Sequence, residues 1–287
     1  MTANTRLWQA RSSRCGQFKK RDMRIFTVDS FTDKPFTGNP AGVCILDNDC
    51  SDELYQQIAR EINYSETAFL IKQNDYYRIR WFTPKTEVNL CGHATLAAAH
   101  ILFEYQYCDF SREIRFDSKS GDLIAKKVGT KIELIFPQLF VDKTDSNEIL
   151  EKAFDIKPTY VGKNDNRYLI EIDDPNKLLT IKPDFQLLKS LDLGRFIITV
   201  KSTNPDYDFI SRYFAPGVGV LEDPVTGTAH CYLAPYWGQK LNKKVMIGFQ
   251  ASDRSGTIEC ELIDDNKLIL RGKAIVIHEL IPKWIKN

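Results

Sequence analysis

Short runs of alternating or β-branched apolar residues recur along the whole chain and predict a protein built mainly of strands. These runs lie at Arg24–Phe31, Ala41–Leu46, Thr67–Lys72, Tyr77–Thr83, Arg112–Ser118, Asp122–Val128, Lys131–Phe136, Arg167–Ile172, Phe196–Lys201, Phe209–Phe214, Val245–Gln250, Thr257–Ile263 and Lys267–Ile277. Short turn signals, such as Asn74-Asp75 and Asp265-Asn266, join several of them. Strands joined by short turns pair in the antiparallel sense, so mostly antiparallel sheets are expected.

Two kinds of helix are predicted between the strands. Ser51 is placed to cap a helix with one apolar face, and the segments Ser146–Phe154 and Asp184–Leu191 have a similar pattern. The segments Gly92–Glu104 and Gly227–Trp237 instead carry small and apolar residues on nearly all sides. A helix without a polar face is expected to be buried, so each half of the chain has many strands and one enclosed helix.

The two halves also resemble each other. Tyr77–Pro84 and Asp208–Pro216 both place an arginine, two aromatic residues, a small residue and a proline in the same order. In each half a glycine that opens an enclosed helix follows shortly afterwards, which indicates an internal duplication. We expect two similar domains that face each other. Their predicted bounds are 23–138 and 139–275, and residues 276–287 are placed to return to the first domain.

Composition and charge exclude several classes of protein. The chain has 287 residues, 43% of them hydrophobic, and a net charge of +1, so it can bury two cores and has no global attraction to nucleic acid or membranes. No apolar run approaches the ~18 residues of a membrane-spanning helix. The seven cysteines form no C-x-x-C motif and are odd in number, which fits free thiols in a reducing, cytoplasmic setting.

The first 22 residues differ from the rest, because they hold six basic residues and one acidic residue. They lack the apolar stretch of a secretory signal. We expect either a disordered basic extension or a start assigned upstream of Met23, which would then be the first residue.

The starts of the two enclosed helices are candidate binding elements. A helix N-terminus presents unpaired N–H groups and a partial positive charge, and a glycine there lets a ligand approach the backbone. Two such ends, at Gly92 and Gly227, could together hold a substrate carboxylate and stabilise enolate-like charge. The structural alternative is that each glycine only eases entry into its helix.

Three side chains near these helices could carry acid/base chemistry. Glu66 follows a helix and opens an apolar strand, and a carboxylic acid in a water-poor cleft can exchange protons near neutral pH. His93 lies in the first turn of the first enclosed helix, where an imidazole can donate to a substrate. Asp223 precedes the second enclosed helix, where it could cap the helix start near Gly227 or orient the substrate. Each also has an ordinary alternative: a solvated strand end, a buried histidine and a turn aspartate.

No metal or nucleotide motif is present in the sequence. Cys91, His93, His230 and Cys231 lie near the two helix starts, but their spacings are not those of zinc ligands. The glycine-rich dinucleotide motif, the Walker lysine motif and the G-x-S-x-G motif are also missing. We therefore expect neither a metal nor a cofactor.

Four ordered motifs, covering roughly Met23 to the C-terminus, together resemble the PhzF-like family of phenazine biosynthesis. They are Asp29-Ser30-Phe31-Thr32 with Pro35-Phe36 and Gly38-Asn39-Pro40-Ala41; Ser65-Glu66-Thr67-Ala68-Phe69; Phe82-Thr83-Pro84 with Cys91-Gly92-His93-Ala94-Thr95; and Glu222-Asp223-Pro224-Val225-Thr226-Gly227-Thr228-Ala229.

The resemblance implies an α+β, diaminopimelate-epimerase-like fold, in which each of two domains is a curled, mostly antiparallel sheet or barrel around a central helix. It also implies a homodimer, a small carboxylate substrate and no cofactor. The implied general acid/base is Glu66, assisted by His93 and Asp223. The implied substrate-binding residues are Asn39, Ser65, Gly92, Gly227 and Thr228. The best-known reaction of the family moves a proton between ring carbons of a dihydro-hydroxyanthranilate.

Two positions depart from the family pattern. Thr228 stands where serine is common, and Cys91 brings a thiol that the phenazine-making members lack. No second cysteine lies opposite Cys91, because Asp223 occupies that region. Three hypotheses follow: an isomerase with Glu66 as a one-base proton shuttle, a two-base epimerase that uses Cys91, and a non-catalytic small-molecule-binding or interaction protein on the same scaffold.

Overall fold

The computed structural model describes residues 23–109, 113–189 and 194–284. The predicted basic extension, residues 1–22, lies outside the described residues, as does the end of the returning segment at 285–287. Nothing in the described ranges therefore bears on the nature of the extension.

Seventeen strands lie in the described ranges: β1 (Met23–Ser30), β2 (Asn39–Leu46), β3 (Glu66–Lys72), β4 (Tyr77–Phe82), β5 (Glu87–Val88), β6 (Ile114–Ser118), β7 (Gly121–Val128), β8 (Lys131–Pro137), β9 (Asp142–Lys143), β10 (Tyr160–Asn164), β11 (Arg167–Glu171), β12 (Arg195–Lys201), β13 (Phe209–Phe214), β14 (Val245–Gln250), β15 (Gly256–Ile263), β16 (Lys267–Gly272) and β17 (Ala274–Leu280). The α-helices there are α1 (Asp52–Ile62), α2 (Gly92–Glu104), α3 (Glu148–Phe154), α4 (Pro175–Thr180), α5 (Phe185–Lys189) and α6 (Gly227–Leu241).

The hydrophobic pattern predicted most of these elements to within two residues. It missed β10, α4 and the two-residue strands β5 and β9. It also merged β16 and β17 into one run. These are two strands because the chain crosses between the halves at Lys273, whose carbonyl accepts the backbone N–H of Phe31 at 2.8 Å.

Helix α6 extends beyond its predicted end at Trp237, although Pro235 lies inside it. A proline has no N–H to bond the carbonyl four residues earlier, which here belongs to Cys231. The N–H of Leu139 takes that place, at 2.9 Å from the Cys231 oxygen. The helix therefore continues past the proline without leaving this buried carbonyl unpaired.

In the first half, strands pair in the order β17-β1-β2-β3-β4-β6-β7-β8 and curl around α2. Only β2 with β3 and β4 with β6 are parallel among these pairs. Ten of the residues of α2 are buried, as expected for a helix that is apolar on all sides.

The second half repeats this arrangement. Its strands pair in the order β9-β10-β11-β12-β13-β14-β15-β16, and they curl around α6. The parallel pairs, β11 with β12 and β13 with β14, occupy the same places as in the first half. The matching segments Tyr77–Pro84 and Asp208–Pro216 fall on the equivalent strands β4 and β13, so the sequence similarity and the topology agree.

The two halves share one hydrogen-bonded ladder. Strand β8 pairs with β16 in antiparallel register from Ile132 with Gly272 to Pro137 with Lys267. Beyond this ladder, β17 returns to pair with β1. We propose that 23–138 with the returning segment and 139–275 are the two structural units. In the described ranges no helix combines the length and the apolar character needed to cross a bilayer.

The imidazole of His230 is fully buried in α6. Its Nδ1 lies 2.8 Å from the carbonyl oxygen of Thr226, while Nε2 has no partner among the described residues. The ring of Phe209 packs against it, with ring centroids 5.8 Å apart. Burial lowers the pKa of His230 from 6.5 to about 4. The imidazole is therefore neutral in the folded protein at mildly acidic pH, where a free histidine is already charged.

This burial predicts acid-sensitive stability. Because the folded-state pKa of His230 lies below the unfolded value, the unfolded chain takes up a proton first as the pH falls. The free energy of unfolding should therefore decrease as the pH falls from the unfolded-state pKa to the folded-state pKa. His230→Asn, which can still donate to Thr226, should flatten the decrease by up to ~1.4 kcal/mol per pH unit. Urea unfolding across this pH range measures it. If the free energy of unfolding changed equally with pH in wild type and His230→Asn, the prediction would be wrong. The control is His278→Asn, because His278 is exposed.

Candidate active site

Three strand ends of the first half meet at one edge of its sheet. Ser30, the last residue of β1, pairs with Asn39, the first residue of β2. Strand β3 runs parallel to β2, with Glu66 opposite Ala41. Asn63 ends α1 in a left-handed conformation (φ 56°) and turns the chain toward β3. This register brings Glu66 and Asn39 to the same edge.

The start of α2 lies against this edge. The hydroxyl of Ser30 donates to the carbonyl oxygen of His93 at 2.8 Å, which fixes the first turn of the helix. The Nε2 atom of His93 then lies 3.4 Å from Oε2 of Glu66 and 3.3 Å from Oγ of Ser65. The Cys91 sulfur lies 3.5 Å from the other ring nitrogen, Nδ1, and 3.9 Å from Nε2. A carboxylate, an imidazole, a hydroxyl and a thiol are thus in contact.

Asn39 connects this cluster to the second half. Its buried Nδ2 group donates to Oδ1 of Asp223 at 2.9 Å and to the carbonyl oxygen of Val225 at 2.8 Å, and it also lies 3.3 Å from Nδ1 of His93. One side chain therefore contacts both helix-start segments.

The segment that carries Asp223 is held by residues that the sequence did not single out. Gln250, at the end of β14, accepts the N–H of Thr226 at 2.8 Å and donates to the carbonyl oxygen of Asp223 at 2.7 Å. Ser252 donates to the carbonyl of Pro224 at 2.7 Å. The N–H of Asp223 bonds the Tyr213 carbonyl at 3.0 Å, so the segment is fixed at both ends.

The starts of α2 and α6 abut. A Cβ built on Gly227 would lie 3.9 Å from Cα of Gly92, and one built on Gly92 would lie 4.0 Å from Cα of Gly227. Neither helix has a side-chain cap. The other four α-helices of the described ranges are capped, by Ser51, Asn147, Asp174 and Asp184. The two central helices thus keep backbone donors that no cap satisfies, at the place where they meet.

Burial strongly affects two groups at this site. Desolvation, reinforced by the nearby Glu66 carboxylate, raises the pKa of the Cys91 thiol well above its usual value. Desolvation also raises the pKa of Asp223, although His93 and hydrogen bonds from Thr226 and Asn39 oppose the shift. Asp223 is half-buried overall, but its carboxylate accepts hydrogen bonds from the Asn39 amide and the Thr226 hydroxyl. The surroundings of the Cys91 thiol and the Asp223 carboxyl are therefore poor in water.

An ion pair between a buried aspartate and a half-buried arginine connects the two halves beside the site. Arg254 donates to Oδ1 of Asp29 at 2.7 Å and to the carbonyl oxygens of Gly38 and Thr37 at 2.9 and 3.1 Å. Desolvation raises the pKa of Asp29, and Arg254 counteracts it. Because Gly38 directly precedes Asn39, this contact fixes the strand end from which Asn39 reaches across.

One group of side chains in the described ranges has the spacing of metal ligands. The ligand atoms of Glu66, Cys91 and His93 all lie within 4.8 Å of one another. His230 and Cys231 are not part of it, because they bond the carbonyl oxygens of Thr226 and Gly227 in their own helix. A thiol ligand would have to lose its proton, which burial disfavours. We assign no metal to this group.

Seven of the eight candidate residues lie together at the junction of the two halves: Asn39, Ser65, Glu66, Gly92, His93, Asp223 and Gly227. The eighth candidate, Thr228, lies in the first turn of α6 and is exposed to solvent. Sequence reasoning missed Ser30, Thr226, Gln250 and Arg254. Ser30 and Thr226 stand inside the quoted motifs, but Gln250 and Arg254 carry no local signal.

The arrangement brings a carboxylate, an imidazole and two uncapped helix starts together at the junction of the two halves. Together with the paired sheets around central helices, it defines the two-domain class of fold to which racemases and epimerases belong. A probable proline racemase of Agrobacterium radiobacter shares the fold at 8% identity, with a TM-score of 0.60 over 91% of this chain and 93% of that one.

The chain belongs to the phenazine biosynthesis-like PhzC-PhzF family, whose model matches residues 28–279. It is 49% identical to an uncharacterized isomerase of Halalkalibacterium halodurans, over 88% of this chain and 96% of the relative. The crystal structure of a PhzF-family protein of Enterococcus faecalis matches with a TM-score of 0.86 at 37% identity, over 90% and 98% of the two chains.

These similarities confirm the predicted family, the α+β epimerase-like fold and the isomerase class of the enzyme. The roles of individual residues remain predictions.

The bridge made by Asn39 predicts a specific ranking of variants. Asn39→Ala removes two donors and should destabilise the fold by about 1–3 kcal/mol. Asn39→Asp should destabilise it more at neutral pH, because it sets a carboxylate against Asp223 and the Val225 carbonyl. The difference should shrink as the pH falls, since the raised pKa of Asp223 lets that group take up a proton early. Denaturant unfolding at several pH values tests the ranking. If wild type and both variants had the same free energy of unfolding at neutral pH, the Asn39 bridge would make no contribution to stability.

Proposed function

We propose that this protein is a cofactor-independent isomerase that moves a proton between carbons of a small carboxylate substrate, with Glu66 as the general acid/base. The observation that carries the proposal is the contact of Glu66 with His93 beside two abutting, uncapped helix starts. The isomerase class of the relatives agrees with it.

Each part of the site has a role in this reaction. The N–H groups at Gly92, Gly227 and Thr228 bind the substrate carboxylate, with Ser65 and Asn39 nearby. Their partial positive charge stabilises the enolate-like charge that forms when a carbon-bound proton leaves. Glu66, as a carboxylate, takes this proton and becomes neutral. It then returns the proton to a different carbon, so the enzyme ends unchanged.

The two neighbours of Glu66 assist without taking the proton themselves. Nε2 of His93 lies within reach of Oε2 of Glu66 and orients the carboxylate. The raised pKa of Asp223 allows this group to carry a proton in the acid range and to serve as a donor to the substrate. Both roles need a cleft from which water is largely excluded, as the burial of the site supports.

The two-base alternative has less support. An epimerase of that type needs a thiolate at Cys91, whereas burial and the neighbouring carboxylate both raise the pKa of this thiol. The opposite side of the cleft presents Asp223 and Thr226, not a second thiol. The predicted homodimer, the cytoplasmic location and the small carboxylate nature of the substrate stay predictions.

Replacement of Glu66 tests the proposed function. Glu66→Gln keeps the size and polarity of the side chain but cannot take up a proton, so deuterium incorporation from solvent into substrate should fall by about 10²–10⁴-fold. An NMR wash-in screen over cyclic and amino-acid carboxylates provides the measurement. The exposed Glu61→Gln in α1 is the matched control. Binding without any exchange in the wild type would favour the non-catalytic alternative, and undiminished exchange in Glu66→Gln would reject Glu66 as the base.

The helix starts allow a test that separates binding from folding. A Cβ on Gly92 or Gly227 meets its nearest neighbours at 3.5 and 3.8 Å, so Gly→Ala fits the free protein. Alanine in a helix should leave the free energy of unfolding unchanged or raise it by up to ~1 kcal/mol. The added methyl group should nevertheless obstruct the substrate carboxylate and weaken binding by about tenfold or more. Thermal unfolding and substrate titration measure the two effects. Unchanged affinity in both variants would remove the helix starts from the binding site.

A further inference from the structure

Two arginines begin neighbouring strands of the second half. Arg167 is the first residue of β11 and Arg195 is the first residue of β12, and the parallel ladder between these strands pairs the two residues directly. Residues that are paired in a ladder place their side chains on the same face of the sheet. Two positive charges therefore lie side by side at one edge of this sheet.

This edge corresponds to the edge of the first half that carries Glu66. Glu66 begins β3 and lies opposite Ala41 of β2. In the second half, Arg195 begins β12 and lies opposite Arg167 of β11. The ladders β3–β4 and β12–β13 also share their register, because in both the second residue of one strand pairs with the last residue of the next. Arg195 thus occupies the position of Glu66 in the duplicated topology.

The side chain of Arg167 reaches the central helix of its half. Its Nη1 donates to the hydroxyl of Tyr232 at 3.0 Å, and the guanidinium carbon lies 5.0 Å from the centre of that ring. A hydrogen bond also joins it to the side chain of Tyr213. Tyr232 lies five residues after Gly227, the first residue of α6, which is about 7–8 Å along the helix axis. The guanidinium group therefore lies beside the first two turns of α6.

Neither arginine forms an ion pair within the parts of the chain that the structure describes. There the side-chain partners of Arg167 are neutral hydroxyls, and Arg195 donates to the side-chain oxygen of Asn166 at 2.9 Å. The buried Nε of Arg167 has no partner among the described residues. Three other largely buried arginines each bind glutamate: Arg80, Arg212 and Arg271.

An anion would balance this charge. Like charges at adjacent ladder positions are unfavourable, and a buried cation is costly unless negative charge lies close to it. Guanidinium groups bind carboxylates and phosphates through paired N–H donors. The two tyrosine hydroxyls accept from Arg167 and retain their own hydrogens, so they can donate to the same anion.

The arginine pair lies near the candidate active site. The backbone N–H of Asp223 bonds the carbonyl oxygen of Tyr213 at 3.0 Å. Desolvation raises the pKa of the Tyr213 hydroxyl, and Arg167 lowers it. The charge of Asp223 raises the same pKa and that of Arg195 lowers it. Because such effects weaken with distance, the three charged groups lie around one side chain.

We propose that the second half holds a second anion-binding site, formed by Arg167, Arg195 and the hydroxyls of Tyr213 and Tyr232. The substrate is then a dianion. Its first carboxylate binds at the two helix starts, and its second acidic group, a carboxylate or a phosphoryl group, binds at the arginine pair. This inference rests on the proposed function and narrows the substrate to small molecules with two acidic groups.

Calorimetric titration with matched ligands tests the second site. Succinate, glutarate and adipate hold two carboxylates at increasing separations, and the monoamide of each keeps the size but loses one charge. The wild type should bind at least one dicarboxylate about tenfold or more tightly than its monoamide, because the second carboxylate gains charge-assisted hydrogen bonds. Titration of 3-phosphonopropionate distinguishes a phosphoryl group from a carboxylate as the preferred second group.

Two variants should remove this preference. Arg195→Gln and Arg167→Gln should each lower the affinity for the preferred dicarboxylate to about that for its monoamide, a loss of about tenfold or more. Arg195→Lys keeps the charge and should retain part of the preference. The matched control is Arg115→Gln, because Arg115 lies on the first half in a half-exposed ion pair with Asp122.

Thermal unfolding separates a binding role from a structural role. Glutamine at position 195 can still donate to Asn166, and it removes one of two adjacent like charges. Arg195→Gln should therefore unfold at the same temperature as the ligand-free wild type or at a higher one. The preferred dicarboxylate should raise the unfolding temperature of the wild type more than that of the variant. A clearly less stable ligand-free variant would show that Arg195 serves the fold and would overturn the proposal.

Three further results would overturn it. One is a wild type without preference for any dicarboxylate, or for the phosphonate, over the monoamides. Another is a preference that both glutamine variants retain. The third is binding of inorganic phosphate that the variants lose, without any preference among the carboxylates, because the arginines would then hold a free anion and no part of the substrate.

The titrations need no turnover, so they are independent of the catalytic base. If Glu66→Gln retained deuterium exchange, the proposed function would fail while the preference for a dicarboxylate would remain. If Glu66→Gln lost exchange but the wild type showed no such preference, only the second anion-binding site would be refuted.

Discussion

The structure depends on bringing together two groups of like charge. The N-terminal ends of helices α2 and α6 meet at Gly92 and Gly227, so closely that a Cβ added to either glycine would contact the Cα of the other. Each end carries a partial positive charge, so the contact is unfavourable unless negative charge lies close by. Glu66 and Asp223 supply it within the protein, and a bound carboxylate would supply more. The partial positive charges of the two helix ends therefore favour an anion at the junction of the two halves.

Several devices hold this junction closed despite the repulsion. The β8–β16 ladder joins the two sheets close to the helix starts, because Phe136 and Leu270 of these strands are the nearest neighbours of a Cβ built on Gly92 and on Gly227. Asp29 and Arg254 form a partly exposed ion pair nearby. Asn39 then adds two hydrogen bonds across the centre. The two halves have the same topology and share a ladder. Their equivalent helix ends therefore face each other at this junction.

Much of this fold was predictable, because strand alternation and helices without a polar face are local signals. The starts of α2 and α6 were predicted correctly at Gly92 and Gly227 for this reason. Strand β10 was missed because Tyr160–Asn164 contains a glycine and two polar residues and lacks alternation. The roles of Gln250 and Arg254 were also beyond the sequence, since each depends on a contact with a residue far away along the chain.

The ladder between β8 and β16 also restricts how the molecule can move. Six residue pairs, from Ile132 with Gly272 to Pro137 with Lys267, connect the halves without interruption. Separation of the halves along this line would break a row of backbone hydrogen bonds. Phe136 and Leu270, one from each strand of the ladder, are also the nearest neighbours of a Cβ built on Gly92 and on Gly227. A shift of one strand past the other would therefore displace the two helix starts relative to each other.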